Sequence, residues 1–208
     1  MGVSPLIKIR ASTDTNFLAQ PAPARRSHLA VFLDRDGVLV NSRVIDGVPH
    51  PPLRLSDVLV PPGTREACAS LKRLGLRLIV VTNQPDIARG LSDIENVQEI
   101  NQYLLTEFDL DAVYMCPHDD SDGCKCRKPA PGLITEAAID FGIALQESTI
   151  VGDRWRDIEA GRRAGCRTMW IRREYAEKPA FAPDAVAASL ADAVPWIVAE
   201  LGESPGNR

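Results

Sequence analysis

The stretch VFLDRDGVLV, residues 31–40, ends an apolar run on two carboxylates, Asp34 and Asp36, with one residue between them and Gly37 after. Other groups able to do chemistry close later apolar runs. Thr82 and Asn83 end LRLIVVTN, Lys128 follows Cys116 through the loop CPHDDSDGCKCRK, and Asp153 ends STIVGD with Asp157 four residues on. These residue types suit phosphoryl transfer through a carboxylate. A phosphomonoester needs an in-line nucleophile, neutralisation of the charge spreading over its oxygens, and a proton for the leaving oxygen. Asp34 is the candidate nucleophile, forming an aspartyl-phosphate. Alternate side chains of an extended chain share a face, so Asp36 reaches the same phosphate and is the candidate general acid, then base. Gly37 permits the sharp turn this requires. Thr82 offers a hydroxyl and Lys128 an ammonium to the phosphate oxygens. Asp34, Asp153 and Asp157 would repel one another unless a hard cation sat among them, and Mg²⁺, which takes oxygen ligands, fits. Asp157 reads equally as a carboxylate supporting that site or as a residue of a helix face.

Cys116, His118, Cys124 and Cys126 form a second constellation. Three thiols and one imidazole make a closed four-ligand set of the structural zinc type. C-x-H and C-x-C each place ligands two residues apart, on one side of an extended segment. Gly123 and the Asp-Ser-Asp stretch before it supply the turn between them. A metal there would pin a long polar loop and so fix Lys128, a preorganising role rather than a catalytic one.

The elements that must position these groups alternate along the chain. Apolar, β-prone runs fall at 29–34, 76–82, 111–116, 148–153 and 166–171. Between them helical patterns are expected at 64–75, 92–108, 131–142 and 155–165, with a last helix near 185–201. Ser92 and Glu95 read as a capping box at the start of the second helix, and Gly75 stops the first. Strands alternating with helices make an α/β protein, a parallel sheet covered by helices on both faces. In such a sheet the ligand site lies at the carboxyl ends of the strands. Asp34, Thr82–Asn83, the loop carrying Lys128, and Asp153 all sit at that end of four strands. Residues 1–27, rich in Ser, Thr, Ala and Pro, read as a flexible tail, 28–203 as one phosphatase domain, and 204–208 as a short C-terminal tail.

The bulk properties narrow the class. The chain has 208 residues, 45% hydrophobic and 25% charged, with a net charge of −4, an ordinary globular composition without the basic surface that nucleic-acid binding requires. No apolar run approaches a membrane span and the N-terminus lacks a signal-peptide core. Five cysteines, three of them within residues 116–126, suggest metal binding in a reducing compartment rather than disulfides. A cytoplasmic protein acting on a small phosphorylated metabolite is expected.

DRDGV, VVTNQ, CRKP and VGDRWRD, in that order, resemble the motifs of the haloacid-dehalogenase-like (HAD-like) phosphatases over roughly residues 29–172. The resemblance implies a Rossmann-like fold without a large cap domain. It implies Asp34 as nucleophile and Asp36 as acid and base, Thr82 and Lys128 as phosphate ligands, and Mg²⁺ held by Asp34, the Asp36 carbonyl and Asp153. Asn83, Arg89 and Arg127 join these as candidate phosphate or substrate contacts, and Asp157 as a supporting residue. TNQPDIARG resembles the D-glycero-D-manno-heptose 1,7-bisphosphate 7-phosphatases, and CPHDDSDGCKCRKP resembles their zinc loop. The five residues between His118 and Cys124 instead resemble the histidinol-phosphate phosphatases. The IARG tetrapeptide favours the heptose group. Residues 41–60 are then the expected flap over the site, and a monomer is expected by analogy. A non-catalytic phosphate- or partner-binding domain on the same scaffold is the reading from another class.

Overall fold

In the computed structural model, which describes residues 6–11 and 28–201, every apolar run named above is a strand. In chain order the strands and α-helices are β1 (Ile7–Arg10), β2 (Ala30–Leu33), β3 (Arg43–Ile45), β4 (Val48–His50), α1 (Thr64–Arg73), β5 (Arg77–Asn83), α2 (Pro85–Ala88), α3 (Ile94–Glu107) and β6 (Ala112–Cys116). They continue as α4 (Gly132–Phe141), β7 (Thr149–Gly152), α5 (Trp155–Ala164), β8 (Arg167–Ile171), β9 (Ala185–Ala187) and α6 (Leu190–Glu200). The main sheet runs β1-β6-β5-β2-β7-β8-β9 and is parallel throughout except for β1.

Alternation along each strand decides which helix it meets. Val31, Leu33, Val80, Val113 and Val151 face a core shared with Leu71 of α1, Ile100 and Leu104 of α3, and Leu190 and Ile197 of α6. Ala30, Phe32, Ile79, Val81 and Ile150 face the opposite core, closed by Leu133, Ile134 and Ala137 of α4 and Ala160 of α5. Both faces are therefore covered, and the central strands are buried along their whole length, as parallel sheets require.

The structure departs from the sequence expectations at several elements. Within the stretch assigned to a tail, Ile7–Arg10 forms β1 and pairs antiparallel with β6, Ile7 opposite Met115. Lys8 and Arg10 anchor it to Asp140 of α4. Residues 1–5, 12–27 and 202–208, which hold the remainder of the expected tails, lie outside the described residues. The N-terminal part of the helix expected at 185–201 is instead β9, and the helix starts at Leu190, where Ser189 Oγ accepts the Asp192 N–H. The capping box expected at Ser92 is absent: Asp93 is the N-cap of α3, and no side chain caps it. The 41–60 flap contains a two-strand hairpin, β3–β4, turning at Asp46–Gly47 with both residues at positive φ. That is the backbone a tight hairpin turn demands. Among the described residues no helix is long and apolar enough to cross a membrane.

Candidate active site

The strand register fixes the centre of the site. Leu33 lies level with Val80 and Val151, so Asp34 emerges beside Val81 and Gly152, its N–H bonded to Val151 O at 2.9 Å. The loop after β6 brings Lys128 back to this point. Its ammonium, only 2% exposed, donates to Asp34 Oδ1 (2.8 Å) and Val81 O (2.7 Å) and pairs with Asp157 Oδ1 at 2.6 Å. Asn83 secures the loop by clasping the Lys128 backbone from both sides, Nδ2 to the carbonyl and Oδ1 to the N–H, each at 3.0 Å. Asn83 thus positions the lysine through hydrogen bonds that occupy both ends of its own amide.

Asp153 follows β7 and Asp157 sits in the first turn of α5, where its Oδ2 also accepts the Arg154 N–H at 2.9 Å. Arg154 is the N-cap of α5, and this contact closes its first turn. Gly152 makes room for it: a Cβ there would fall 2.1 Å from Asp157 Cβ. Asp34, Asp153 and Asp157 are all buried and can bring one oxygen each within 4.8 Å of one another. Burial raises the Asp34 carboxyl to about 7, opposed by Lys128 and reinforced by Asp157 and Asp36. Burial, then Asp34 and Asp157, push Asp153 well above its ordinary range. Burial works against the Lys128 charge, yet the facing Asp157 and Asp34 hold its pKa above that of a free lysine. Fully ionised, the trio would carry more negative charge than Lys128 balances, and the raised Asp34 and Asp153 values express that strain.

One oxygen shows where further positive charge belongs. Asp153 Oδ1 is buried without a hydrogen-bond partner, while Oδ2 accepts from the Tyr175 hydroxyl at 2.5 Å. Buried acceptors are rarely left unpaired. An oxygen-only donor set of this charge fits a hard divalent cation such as Mg²⁺. Gly37, at φ +86°, lies against the same carboxylate, and a Cβ there would sit 1.7 Å from Asp153 Oδ2. Burial and the facing Asp153 push the Tyr175 phenol above its usual range, so it remains a donor.

Asp36 opens toward a cavity of about 420 Å³ lined by Asp34, Lys128, Asp153 and Asp157, by the hairpin residues Val48, Pro49 and His50, and by arginines. Two residues that sequence reasoning passed over hold Asp36. Arg35, fully buried, donates its Nε to both carboxylate oxygens (3.0 and 3.2 Å) and Nη1 to Asn101 Oδ1. Gln84 Nε2 donates to Asp36 Oδ2 at 2.7 Å and to Thr82 Oγ1 at 3.0 Å, linking the ends of β2 and β5. Both lie inside the DRDGV and VVTNQ motifs, where a buried arginine between two acids was the available signal.

Arg89 and Arg127 line the cavity, but each holds an acid of the Cys/His loop. Arg89 donates to Asp119 at 2.5 Å and Arg127 to Asp120 at 2.7 Å. Arg156, not singled out from sequence, also lines the cavity and shares Asp120 Oδ1 at 3.2 Å. Beneath them Cys116, His118, Cys124 and Cys126 converge. His118 Nδ1 lies 3.3 Å from Cys116 Sγ and 3.2 Å from Cys126 Sγ, and Cys124 Sγ lies 3.6 and 3.5 Å from the same two sulfurs. A tetrahedron with Zn–S bonds of about 2.3 Å has edges of roughly 3.8 Å, so the set is compatible with zinc. The hydrogen bond between Cys116 and Cys126 draws the Cys126 thiol down to about 5 and pushes the Cys116 thiol up, as one proton shared between two sulfurs does.

Comparison with known proteins agrees with this geometry. The HAD-hydrolase-like family model matches residues 125–193. The chain is 32% identical to the D-glycero-beta-D-manno-heptose-1,7-bisphosphate 7-phosphatase of Yersinia pestis over 188 residues, spanning 85% of this chain and 93% of the relative. The crystal structure of the D,D-heptose 1,7-bisphosphate phosphatase from B. bronchiseptica, complexed with magnesium and phosphate, superposes with a TM-score of 0.72 at 29% identity, covering 83% of this chain and 99% of that one. A putative HAD-like phosphatase from Mesorhizobium loti gives 0.70 at 27% identity, over 98% and 96% of the two chains. The chain belongs to the HAD-like hydrolases, and its relatives there are phosphatases.

Proposed function

We propose that this protein is a Mg²⁺-dependent phosphomonoesterase that removes the 7-phosphate of D-glycero-D-manno-heptose 1,7-bisphosphate through an aspartyl-phosphate on Asp34. The observation that carries the chemistry is the buried trio Asp34, Asp153 and Asp157 beside Lys128, with Asp153 Oδ1 unpaired. The substrate is supported by the named activity of the relatives and by a cavity that carries Arg89, Arg127 and Arg156 besides Lys128. A bisphosphate brings a second anion, and planar guanidinium groups suit it.

In this mechanism an Asp34 carboxylate oxygen forms a bond to phosphorus as the bond to the sugar oxygen breaks. Asp36 gives its proton to the departing oxygen. Asp36 then takes a proton from water, the water oxygen attacks phosphorus, and the Asp34–phosphorus bond breaks to release phosphate. Lys128 keeps its charge in burial, orients Asp34 and offsets negative charge on the transferring group. Thr82, tied to Asp36 through Gln84, supports the same end of the site. Arg35 and Gln84 hold Asp36 in register. Bound Mg²⁺, held by Asp34 and Asp153 with Asp157 behind them, would supply charge neutralisation to the nucleophile and the phosphoryl oxygens. Zinc on the Cys/His cluster would preorganise the loop that carries Arg127 and Lys128. The Cys/His set also supports a cytoplasmic location, where thiols stay reduced, and the enzyme is proposed to act as a monomer.

The test is kcat/KM for heptose 1,7-bisphosphate, histidinol phosphate and p-nitrophenyl phosphate, with and without MgCl₂. The heptose bisphosphate should lead by a factor of about 100 or more and require Mg²⁺. Faster turnover of histidinol phosphate would replace the substrate assignment. No turnover of any of them would favour a binding domain.

A further inference from the structure

The segment after β8, residues 172–178, touches several parts of the site that are far apart in sequence. Arg173 Nη2 donates to Gly37 O at 3.0 Å. The Tyr175 hydroxyl donates to Asp153 Oδ2 at 2.5 Å. The Ala176 N–H donates to Gly47 O at the hairpin turn (2.7 Å), and Glu177 accepts from Arg154 Nε at 2.7 Å. Nothing in the sequence of this segment, RREYAEK, marks it as part of an active site.

We propose that Tyr175 is a positioning residue for the divalent cation, fixing which oxygen of Asp153 serves as ligand. The proposal rests on the cation reading given above. Oδ2 is enclosed: the phenol hydroxyl donates to it, and the position of a Gly37 Cβ lies only 1.7 Å away. Oδ1 is the oxygen left over, buried and without a partner. A carboxylate held at one oxygen is restrained from rotating, so the other is presented in a preferred direction, which is how groups behind a metal ligand tune affinity. The neighbouring contacts at Arg173, Ala176 and Glu177 hold the segment, and through Gly47 they tie the hairpin to the same strap.

The test uses the full chain and Tyr175→Phe, which keeps the ring and removes only the hydroxyl. MgCl₂ is titrated into each by calorimetry, without substrate. The variant should bind Mg²⁺ about tenfold more weakly, with an unchanged KM for p-nitrophenyl phosphate at saturating Mg²⁺. MgCl₂ should also perturb the near-ultraviolet tyrosine absorption of the unaltered chain, a readout that needs no variant. Equal Mg²⁺ affinity in the two proteins overturns the proposal, as does a binding heat with no tyrosine perturbation. A raised KM for p-nitrophenyl phosphate at saturating Mg²⁺ would reduce Tyr175 to a packing residue. If the unaltered chain itself binds no Mg²⁺, the cation reading fails and this inference with it.

Discussion

Replacing Lys128 with Met tests the electrostatics of the site apart from its chemistry. Met has similar length and no charge. The substitution strips a 2%-exposed ammonium from Asp34, 2.8 Å away, and from Asp157, 2.6 Å away. Asp153 is the third carboxylate of the cluster, so three buried acids would remain without that counter-charge. Removing one partner of a buried pair costs about 3–5 kcal/mol, because the other partner stays buried and unpaired. For a chain of this size that corresponds to a fall in melting temperature of roughly 6–20 °C. The deficit should depend on pH. The folded-state pKa of Asp34 is raised from 3.8 to about 7, so its contribution to stability is fully present below about pH 4 and lost as pH rises through about 7. Without Lys128 that pKa rises further, so the deficit should be largest at pH 8 and shrink toward pH 5. MgCl₂ at 100 times its dissociation constant should return about 2.7 kcal/mol. The assay is denaturant unfolding of both proteins at the two pH values, with and without MgCl₂. A deficit under about 1 kcal/mol at pH 8, the range of an exposed ion pair, would refute the reasoning. So would a deficit independent of pH.

Asp36→Asn should lower kcat on the sugar phosphate by about 10²–10⁴, while burst-phase phosphorylation by p-nitrophenyl phosphate, whose leaving group needs no proton, is largely spared; equal losses on both would argue against the acid role. The chain should carry one zinc by elemental analysis, and Cys126→Ser should lose that zinc together with thermal stability; a metal-free and fully active protein would contradict the loop assignment. Gly37→Ala should weaken Mg²⁺ binding about tenfold or more in a calorimetric titration, since its Cβ would collide with Asp153 Oδ2 in a backbone held at φ +86°; unchanged affinity would show that the carboxylate is not confined there.

Most of the scaffold was legible because the parallel strands are long apolar runs and the chemical groups close them. Asp34, Thr82, Lys128 and Asp153 were picked out by that rule, and the strand register brings Asp34, Asp153 and Lys128 together. The elements that escaped are short and depend on tertiary pairing. β1 is four residues at the sheet edge inside a stretch whose composition reads as a tail. β9 is three residues in the alanine-rich DAVAASLADAV, where helix propensity favours the wrong state and pairing with β8 overrides it. The hairpin did carry a signal, Asp46–Gly47 between apolar residues, but the prolines that follow obscured its strand pattern. Arg35 and Gln84 stood inside recognised motifs but were not singled out. Tyr175 had no local signal, because its role comes only from reaching Asp153 across the fold.

The most direct measurement is rapid-quench mass spectrometry of the protein mixed with Mg²⁺ and a phosphomonoester, followed by peptide mapping, with Asp34→Asn alongside. The expected result is a phosphoryl adduct on the peptide containing Asp34, absent from the variant, whose kcat falls by a factor of about 10⁴ or more. An adduct on another residue, or a variant that retains its turnover, would contradict Asp34 as the nucleophile.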